Sequence, residues 1–203
     1  SGSALHEIEP LSEFLAAQIA AIICPHSVSY DLDFHHGKLI SKCKLFTSEH
    51  VGLAKASSVF RGQERTIPAL LDYFNSINSG DSFRRMLTLS PDRHYGNFGV
   101  LFDTDTMDIL GMAPVFDNNR SLFPELDDEQ ISNPEWYLKK CRPQLGTDFI
   151  LNAQGLLTPE IRDDLKSLVG FHFQQHNRIS ASECRLERLS QLVNAQIHRI
   201  INA

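Results

Sequence analysis

Four side chains that could take part in a reaction lie close together in the sequence. The stretch "SPDRHYGNFGVLF", residues 90–102, contains Asp92, Arg93, His94 and Asn97 directly before an apolar segment. A further acid, Asp117, follows that segment in "GMAPVFDNNRSLFP". A loop needs only turn-forming residues at such positions. The concentration of ionisable and amide groups therefore indicates a reactive site.

The types and spacing of these residues suit phosphoryl transfer. That reaction needs a carboxylate near the attacking hydroxyl and oxygen ligands for the metal ions that neutralise the phosphates. Asp92 and Asn97 have the D-x-x-x-x-N spacing of a kinase catalytic loop. Two apolar segments around "DTDTMD" predict a hairpin, which would return Asp117 to the same edge as the loop. The sequence thus predicts one base and two metal ligands at one site.

These motifs also resemble a known family. "DRHYGNFGVLF" followed by "GMAPVFDNNRSLFP" looks like the C-terminal catalytic core of the HipA-like toxin kinases, which have D-x-H-x-x-N-F, a strand pair and then a Pro-aromatic-Asp segment. "SEFLAAQIA", residues 12–20, resembles the helix that supports the nucleotide site in that family. The resemblance covers roughly residues 10–203. The ordered pair of motifs is its specific part, because D-x-x-x-x-N alone is a weak pattern.

The resemblance implies ATP- and Mg²⁺-dependent phosphorylation of a Ser or Thr hydroxyl on a protein substrate, by one partner of a bacterial toxin-antitoxin pair. Asp92 would be the catalytic base, and Asn97 and Asp117 would bind Mg²⁺. His94 lies between the acid and the amide. Imidazole serves both as a hydrogen-bonding brace and as a proton carrier, and we expect the bracing role.

The resemblance also implies where the nucleotide would bind. Glu13 would support it, and adenine would stack against the strand "KCKLFT" at Leu45, Phe46 and Thr47. A complete kinase further has a phosphate-covering loop and a strand lysine before the helix that carries the glutamate. The twelve residues before Glu13 contain neither. Three explanations stay open: a longer natural chain, a complementary N-lobe chain or antitoxin, and a degenerate kinase.

Two other functions are alternatives to the protein kinase hypothesis. D-R-H-x-x-N is also the catalytic loop of phosphoinositide-type lipid kinases, although "FDNN" replaces D-F-G and no basic membrane-facing segment is present. The second alternative is a non-catalytic binding module that keeps a kinase fold to bind an antitoxin or a partner chain. The absent phosphate loop favours this module, whereas the presence of Asp92, Asn97 and Asp117 opposes it.

The composition excludes several other classes of protein. The chain has 203 residues, 42% of them hydrophobic, and a formal net charge of -6, which disfavours direct binding to nucleic acid. The longest apolar run, "FLAAQIAAIIC", is shorter than the roughly 20 residues that span a bilayer. Four cysteines occur singly, without a C-x-x-C pair. We therefore expect a soluble cytoplasmic protein with reduced thiols.

Hydrophobic spacing predicts the helices and strands that position the site. Pro10 suits the first turn of the first helix, and Asp81 suits the N-cap of the third. Helices are predicted at 10–24, 66–78, 79–89, 159–170 and 182–202. Hairpins are predicted from "SVSYDLDF" with "KLISKCKLF", and from "FGVLF" with "DILGMAPVF". Residues 48–65 are predicted as a connector, and 124–148 as a long acidic loop with one short helix around Trp136.

The order of these elements predicts an α+β fold. Together with the resemblance, it implies a protein-kinase-like, HipA-like fold. Residues 1–48 would form a partial N-lobe of one helix and one hairpin. Residues 49–203 would form a mainly helical catalytic C-lobe.

Overall fold

The structure, a computed structural model, describes residues 2–91, 93–132 and 143–202. Within these ranges the helices are α1 (Gly2–Ile23), α2 (Ala56–Val59), α3 (Ile67–Ser76), α4 (Gly80–Leu89), a 3-10 helix (Gln130–Ser132), α5 (Phe149–Leu156), α6 (Pro159–Ser167) and α7 (Glu183–Ile201). The strands are β1 (Tyr30–His35), β2 (Lys38–Cys43), β3 (Val51–Lys55), β4 (Gly99–Asp103) and β5 (Ile109–Met112).

The first predicted hairpin is confirmed. Strands β1 and β2 pair antiparallel, and the turn residues His36 and Gly37 have φ of 50° and 73°. Two successive positive φ values give the turn whose twist matches that of the strands. Strand β2 ends at Cys43 rather than at residue 46, because the chain leaves the sheet to place the Phe46 ring 5.4 Å from the Phe116 ring.

The second sheet has the antiparallel order β3-β4-β5. The predicted hairpin of β4 and β5 is confirmed, but the prediction of a connector over 48–65 was wrong, since this segment forms β3 and α2. Gly99, at the start of β4, pairs with Lys55. A Cβ on Gly99 would lie 2.1 Å from the Ala54 carbonyl oxygen, so only glycine permits this close approach of the strands.

Helix α1 connects the hairpin with the helical part of the protein. It packs against β1 and β2, and also against α4 and α6. Its buried Leu15, Ala20 and Ile23 face neighbouring elements. The helix begins at Gly2, so the predicted start at Pro10 was wrong, and Pro10 lies inside the helix. No helix in the described ranges has the length and apolar character needed to cross a membrane.

The other predicted helices are present, with one corrected cap and one addition. The N-cap of α4 is Ser79 rather than Asp81. The Asp81 carboxylate instead accepts a hydrogen bond from Arg85 Nε at 2.7 Å, one turn further on. Helix α5 was not predicted; Asp148 caps it by accepting a hydrogen bond from the Leu151 N–H at 3.0 Å.

The acidic segment after residue 124 is attached to the core. Leu126 and Ile131 are buried, and the latter lies in the 3-10 helix. The buried guanidinium of Arg185, on α7, donates to the carbonyl oxygens of Phe123 and Leu126 at 2.9 and 2.8 Å. Residues 124–132 are therefore not a simple solvated loop. The short helix predicted around Trp136 lies outside the described residues.

The contact at Gly99 gives a test of the second sheet. We expect Gly99→Ala to lower the free energy of unfolding by roughly 1–3 kcal/mol, because the new methyl group meets the backbone of β3. Gly155→Ala is the matched control, since a Cβ at this position in α5 meets no atom within 4 Å. The control should raise stability by roughly 0.5–1 kcal/mol. Urea denaturation measures both, and equal effects of the two substitutions would contradict the packing described.

Candidate active site

The loop between α4 and β4 is closed by its own hydrogen bonds. The His94 N–H donates to Asn97 Oδ1 at 3.0 Å, and the Asn97 N–H donates to the His94 carbonyl at 3.0 Å. His94 Nδ1 accepts a hydrogen bond from the Gly96 N–H at 3.0 Å. The imidazole thus braces the loop in this structure. Asp92, the predicted base, lies outside the described residues.

Arg93 joins this loop to the one that carries Asp117. Its side chain is 1% exposed, although it carries a full positive charge. The guanidinium donates to the Phe116 carbonyl at 2.9 Å and to Oδ1 of Asn118. These two residues flank Asp117 in the sequence. A single buried side chain therefore sets the position of both predicted metal-binding loops relative to each other.

Asp117 has an unusual backbone conformation. Its φ is 57°, in the left-handed region that Asp and Asn tolerate better than most residues. The Asp117 N–H donates to the Tyr30 hydroxyl at 3.1 Å. Within the described part of the chain, no group donates a hydrogen bond to the half-buried Asp117 carboxylate. That carboxylate is therefore available to a ligand.

Glu13 meets the Asp117 loop from α1. Glu13 is 4% exposed, and its carboxyl group accepts a hydrogen bond from the Asn118 N–H at 2.7 Å. Burial raises the pKa of Glu13 to about 7, and the negative charge of Asp117 also raises it; the bonds from Asn118 and Tyr30 and the charge of Arg93 lower it. Glu13 is therefore a proton-binding group at neutral pH.

A cleft opens beside the hairpin near the predicted adenine segment. Its volume is about 690 Å³, and it is lined by Tyr30, Cys43, Leu45 and Phe46 among others. Leu45 is 82% exposed. Thr47 is half-buried and is not among the described residues that line the cleft. The structure thus places two of the three predicted adenine-binding residues on one cavity wall.

Two residues of the site were missed by sequence reasoning. Tyr30 and Asn118 link α1, the hairpin and the Asp117 loop. Tyr30 contacts a residue 87 positions away, and Asn118 one 105 positions away. Asn118 follows directly after Asp117 in "FDNN", so its position beside a predicted metal ligand could be recognised from the sequence. No local pattern identifies Tyr30.

The donor atoms at this site suit Mg²⁺. The open carboxylate of Asp117 and the amide oxygen of Asn97 are hard oxygen ligands, which Mg²⁺ prefers together with waters and substrate phosphates. Among the described residues no group of three His, Cys, Asp or Glu side chains could hold a metal ion.

Comparison with known proteins identifies the fold. No family model matches the sequence, and no curated protein matches it. The structure is similar to the crystal structure of the proinflammatory kinase CtkA from Helicobacter pylori, with a TM-score of 0.66 and 16% sequence identity. The similarity covers 96% of this chain and 85% of that chain. The chain therefore has a mixed α/β, kinase-like fold, as predicted. The HipA-like assignment, the lobe boundaries and the residue roles stay predictions.

The substitution Arg93→Lys tests whether the buried Arg93 side chain holds the two loops together. Lysine keeps the charge but cannot match the planar fork that reaches both Phe116 and Asn118. We expect a loss of roughly 1–3 kcal/mol in the free energy of unfolding, since a buried acceptor loses its partner. Arg84→Lys is the control, because Arg84 makes one long bond of 3.5 Å to the Leu156 carbonyl. Comparable losses in both variants would contradict the special role of Arg93.

The raised pKa of Glu13 predicts that the stability of the protein depends on pH. In the folded protein Glu13 keeps its proton up to about pH 7, whereas a glutamate carboxyl in the unfolded chain loses it near its ordinary pKa of 4.5. The folded state therefore binds more protons between these values, and the free energy of unfolding contributed by this group falls as pH rises from about 4.5 to about 7. The total change is at most roughly 3 kcal/mol.

Glu13→Gln should remove this slope, because the amide imitates the protonated acid. Urea denaturation at several pH values, with a chelator present, measures this slope. The free energy of unfolding of the variant should increase relative to that of the parent protein as pH rises. Glu9→Gln, on the same helix, is the control for the effect of removing a carboxyl group at another position. An unchanged slope in Glu13→Gln would show that this carboxyl ionises normally.

Proposed function

We propose that this protein transfers the γ-phosphoryl group of ATP to a Ser or Thr hydroxyl of a protein substrate. The observation that carries the proposal is the buried guanidinium of Arg93, which joins the Asn97 loop to the Asp117 loop. The kinase-like fold supports the reaction class. The motifs that resemble HipA-like toxin kinases support a Ser/Thr-specific enzyme of a toxin-antitoxin pair that acts in the cytoplasm.

Each residue of the site has a role in this proposal. Asp117 and Asn97 would hold Mg²⁺ through their side-chain oxygens. When bound, Mg²⁺ neutralises phosphate charge and aligns the transferred group. Asp92 would accept the proton of the substrate hydroxyl. His94 would keep Asn97 in place through the loop hydrogen bonds. Glu13 would hold the Asp117 loop through the Asn118 N–H.

The cleft beside the hairpin would receive the nucleotide. Its volume of about 690 Å³ lies within the roughly 300–1,000 Å³ typical of ligand sites. Leu45 and Phe46 offer apolar surface to an adenine ring. The Phe46 ring lies 5.4 Å from the ring of Phe116, the residue before Asp117. The proposed adenine contact and the proposed metal loop are therefore neighbours.

A second candidate is a kinase-like module that binds a partner without catalysis. In a complete kinase, the helix glutamate pairs with a strand lysine. Here the Glu13 carboxyl accepts hydrogen bonds from the Asn118 N–H and the Tyr30 hydroxyl, and no lysine or arginine of the described ranges forms an ion pair with it. A complementary N-lobe chain or an antitoxin would be the natural partner of such a module.

Transfer of labelled phosphate from ATP distinguishes these functions. The protein is incubated with Mg²⁺ and γ-labelled ATP, together with a Ser/Thr peptide library or with phosphatidylinositol vesicles. We expect label in the peptides. Asp92→Asn should reduce the rate by at least about 100-fold, because a general base contributes roughly 10²–10⁴ to the rate.

The other outcomes assign the alternatives. Label in the lipid would identify a lipid kinase, and label in neither would favour the non-catalytic module. Transfer that is unchanged in Asp92→Asn would contradict the proposed base. Circular dichroism and urea denaturation establish that the variant is folded.

Nucleotide binding can be measured without catalysis through the cysteines. Cys43 lines the cleft, whereas Cys184 is exposed on α7 and is not one of the residues that line it. We expect Mg²⁺-ATP to slow the alkylation of Cys43 several-fold and to leave that of Cys184 unchanged. Mass spectrometry of the peptides measures each site separately. Equal rates at Cys43 with and without nucleotide would exclude this cleft as the ATP site.

A further inference from the structure

A basic surface segment lies beside the loop that carries Asn97. Residues 55–65, "KASSVFRGQER", contain Lys55, Arg61 and Arg65 but only one acid, Glu64, whereas the whole chain has a net charge of -6. All three cationic residues are exposed. This basic segment therefore carries a charge opposite to that of the protein as a whole.

Backbone hydrogen bonds attach the start of the basic segment to the loop. The Ser57 N–H donates to the Tyr95 carbonyl at 2.8 Å, and the Ala56 N–H donates to the Phe98 carbonyl at 2.9 Å. Both acceptors lie within or directly after the turn that is closed by Asn97. Helix α2 and the loop therefore hold a fixed position relative to each other.

The two ends of the basic segment both lie next to this loop. Lys55, at the end of β3, pairs with Gly99, which is two residues after Asn97. The guanidinium carbon of Arg65 lies 4.7 Å from the centre of the Tyr95 ring, within the range of a cation–π interaction. The cationic residues at both ends are therefore held beside the proposed catalytic loop.

The charges of the basic segment are not neutralised within the described ranges. None of the three cationic side chains forms an ion pair there; the ion pairs of lysine and arginine involve Lys42, Arg85, Lys166 and Arg185. The Glu64 carboxylate accepts a hydrogen bond from the Thr66 hydroxyl at 3.2 Å. Guanidinium and ammonium groups bind carboxylates through charge-assisted hydrogen bonds. The basic segment can therefore bind acidic groups of another molecule.

We propose that the basic segment binds Asp or Glu side chains of the protein substrate close to its acceptor hydroxyl. Tyr95 is three residues from Asp92, and three residues of extended chain span at most about 11 Å. An acceptor hydroxyl at Asp92 would therefore lie within a few substrate residues of the Arg65 guanidinium. This inference rests on the proposed function, because it names the class of protein that the kinase would phosphorylate.

Peptide binding tests the basic segment separately from catalysis. Three fluorescent peptides carry one serine flanked on both sides by glutamates, alanines or lysines, and fluorescence anisotropy measures their binding to the whole chain at low salt without nucleotide. We expect the glutamate peptide to bind about tenfold more tightly than the alanine peptide, because each exposed ion pair contributes up to roughly fivefold. Salt at about 1 M should remove most of this preference, since it screens exposed charges beyond about 3 Å.

Charge reversal locates the binding surface. The double substitution Arg61→Glu and Arg65→Glu should reverse the preference, so that the lysine peptide binds more tightly than the glutamate peptide. Arg188→Glu is the control, because Arg188 is exposed on α7 and lies outside the basic segment. This control should keep the preference for glutamate. Circular dichroism establishes that the variants are folded.

Phosphate transfer to the same peptides distinguishes this inference from the proposed function. We expect the glutamate peptide to be labelled fastest. A binding preference for glutamate without label in any peptide would contradict the proposed reaction and support the acidic-peptide surface. Equal binding of the three peptides to the parent protein, or a glutamate preference that survives the double substitution, would overturn the inference. Loss of the Mg²⁺-ATP protection of Cys43 in the double variant would assign the segment to nucleotide phosphates and would also overturn it.

Discussion

The buried guanidinium of Arg93 holds the candidate site together. A buried cation is costly unless hydrogen bonds replace its hydration. Arg93 donates such bonds to the Phe116 carbonyl and to Oδ1 of Asn118, on either side of Asp117, while the Tyr30 hydroxyl accepts a bond from the Asp117 N–H itself. Three consecutive residues are therefore fixed, and the middle one is kept in a left-handed conformation. This constraint leaves the Asp117 carboxylate without a protein donor within the described chain.

Helix α1 extends this arrangement to the rest of the fold. Its Glu13 bonds the Asn118 N–H, and its Ser12 hydroxyl accepts from the Leu122 N–H at 3.3 Å. The same helix packs against the hairpin whose end lines the proposed nucleotide cleft. The proposed metal loop and the proposed adenine contact thus share one rigid support. A buried acid with a raised pKa makes that support sensitive to pH.

The sequence predicted the parts of this structure that depend on local pattern. Helix α3 has an apolar face and a Thr66 cap, and the β1–β2 turn contains a glycine, so both could be recognised from neighbouring residues. Strand β3 could not, because its five residues have little periodicity and its partner β4 is more than forty residues away. Helix α5 is short and carries a glycine, which weakens its helical signal.

The same distinction applies to the site. The order of Asp92, Asn97 and Asp117 was visible because the chemistry requires fixed spacing. The contact between Tyr30 and Asp117 depends on packing between distant segments. The role of Asn118 as a bridge from Glu13 to Arg93 likewise emerges only in three dimensions.

Thermal unfolding with and without saturating Mg²⁺-ATP tests most directly whether these loops form a nucleotide and metal site. At about 100 times its dissociation constant, the ligand should stabilise the parent protein by roughly 2.7 kcal/mol, which is a shift of several degrees for a chain of this size. Asp117→Asn tolerates the same backbone conformation and should lose most of the shift. An equal shift in both proteins, or none in the parent protein, would contradict the account.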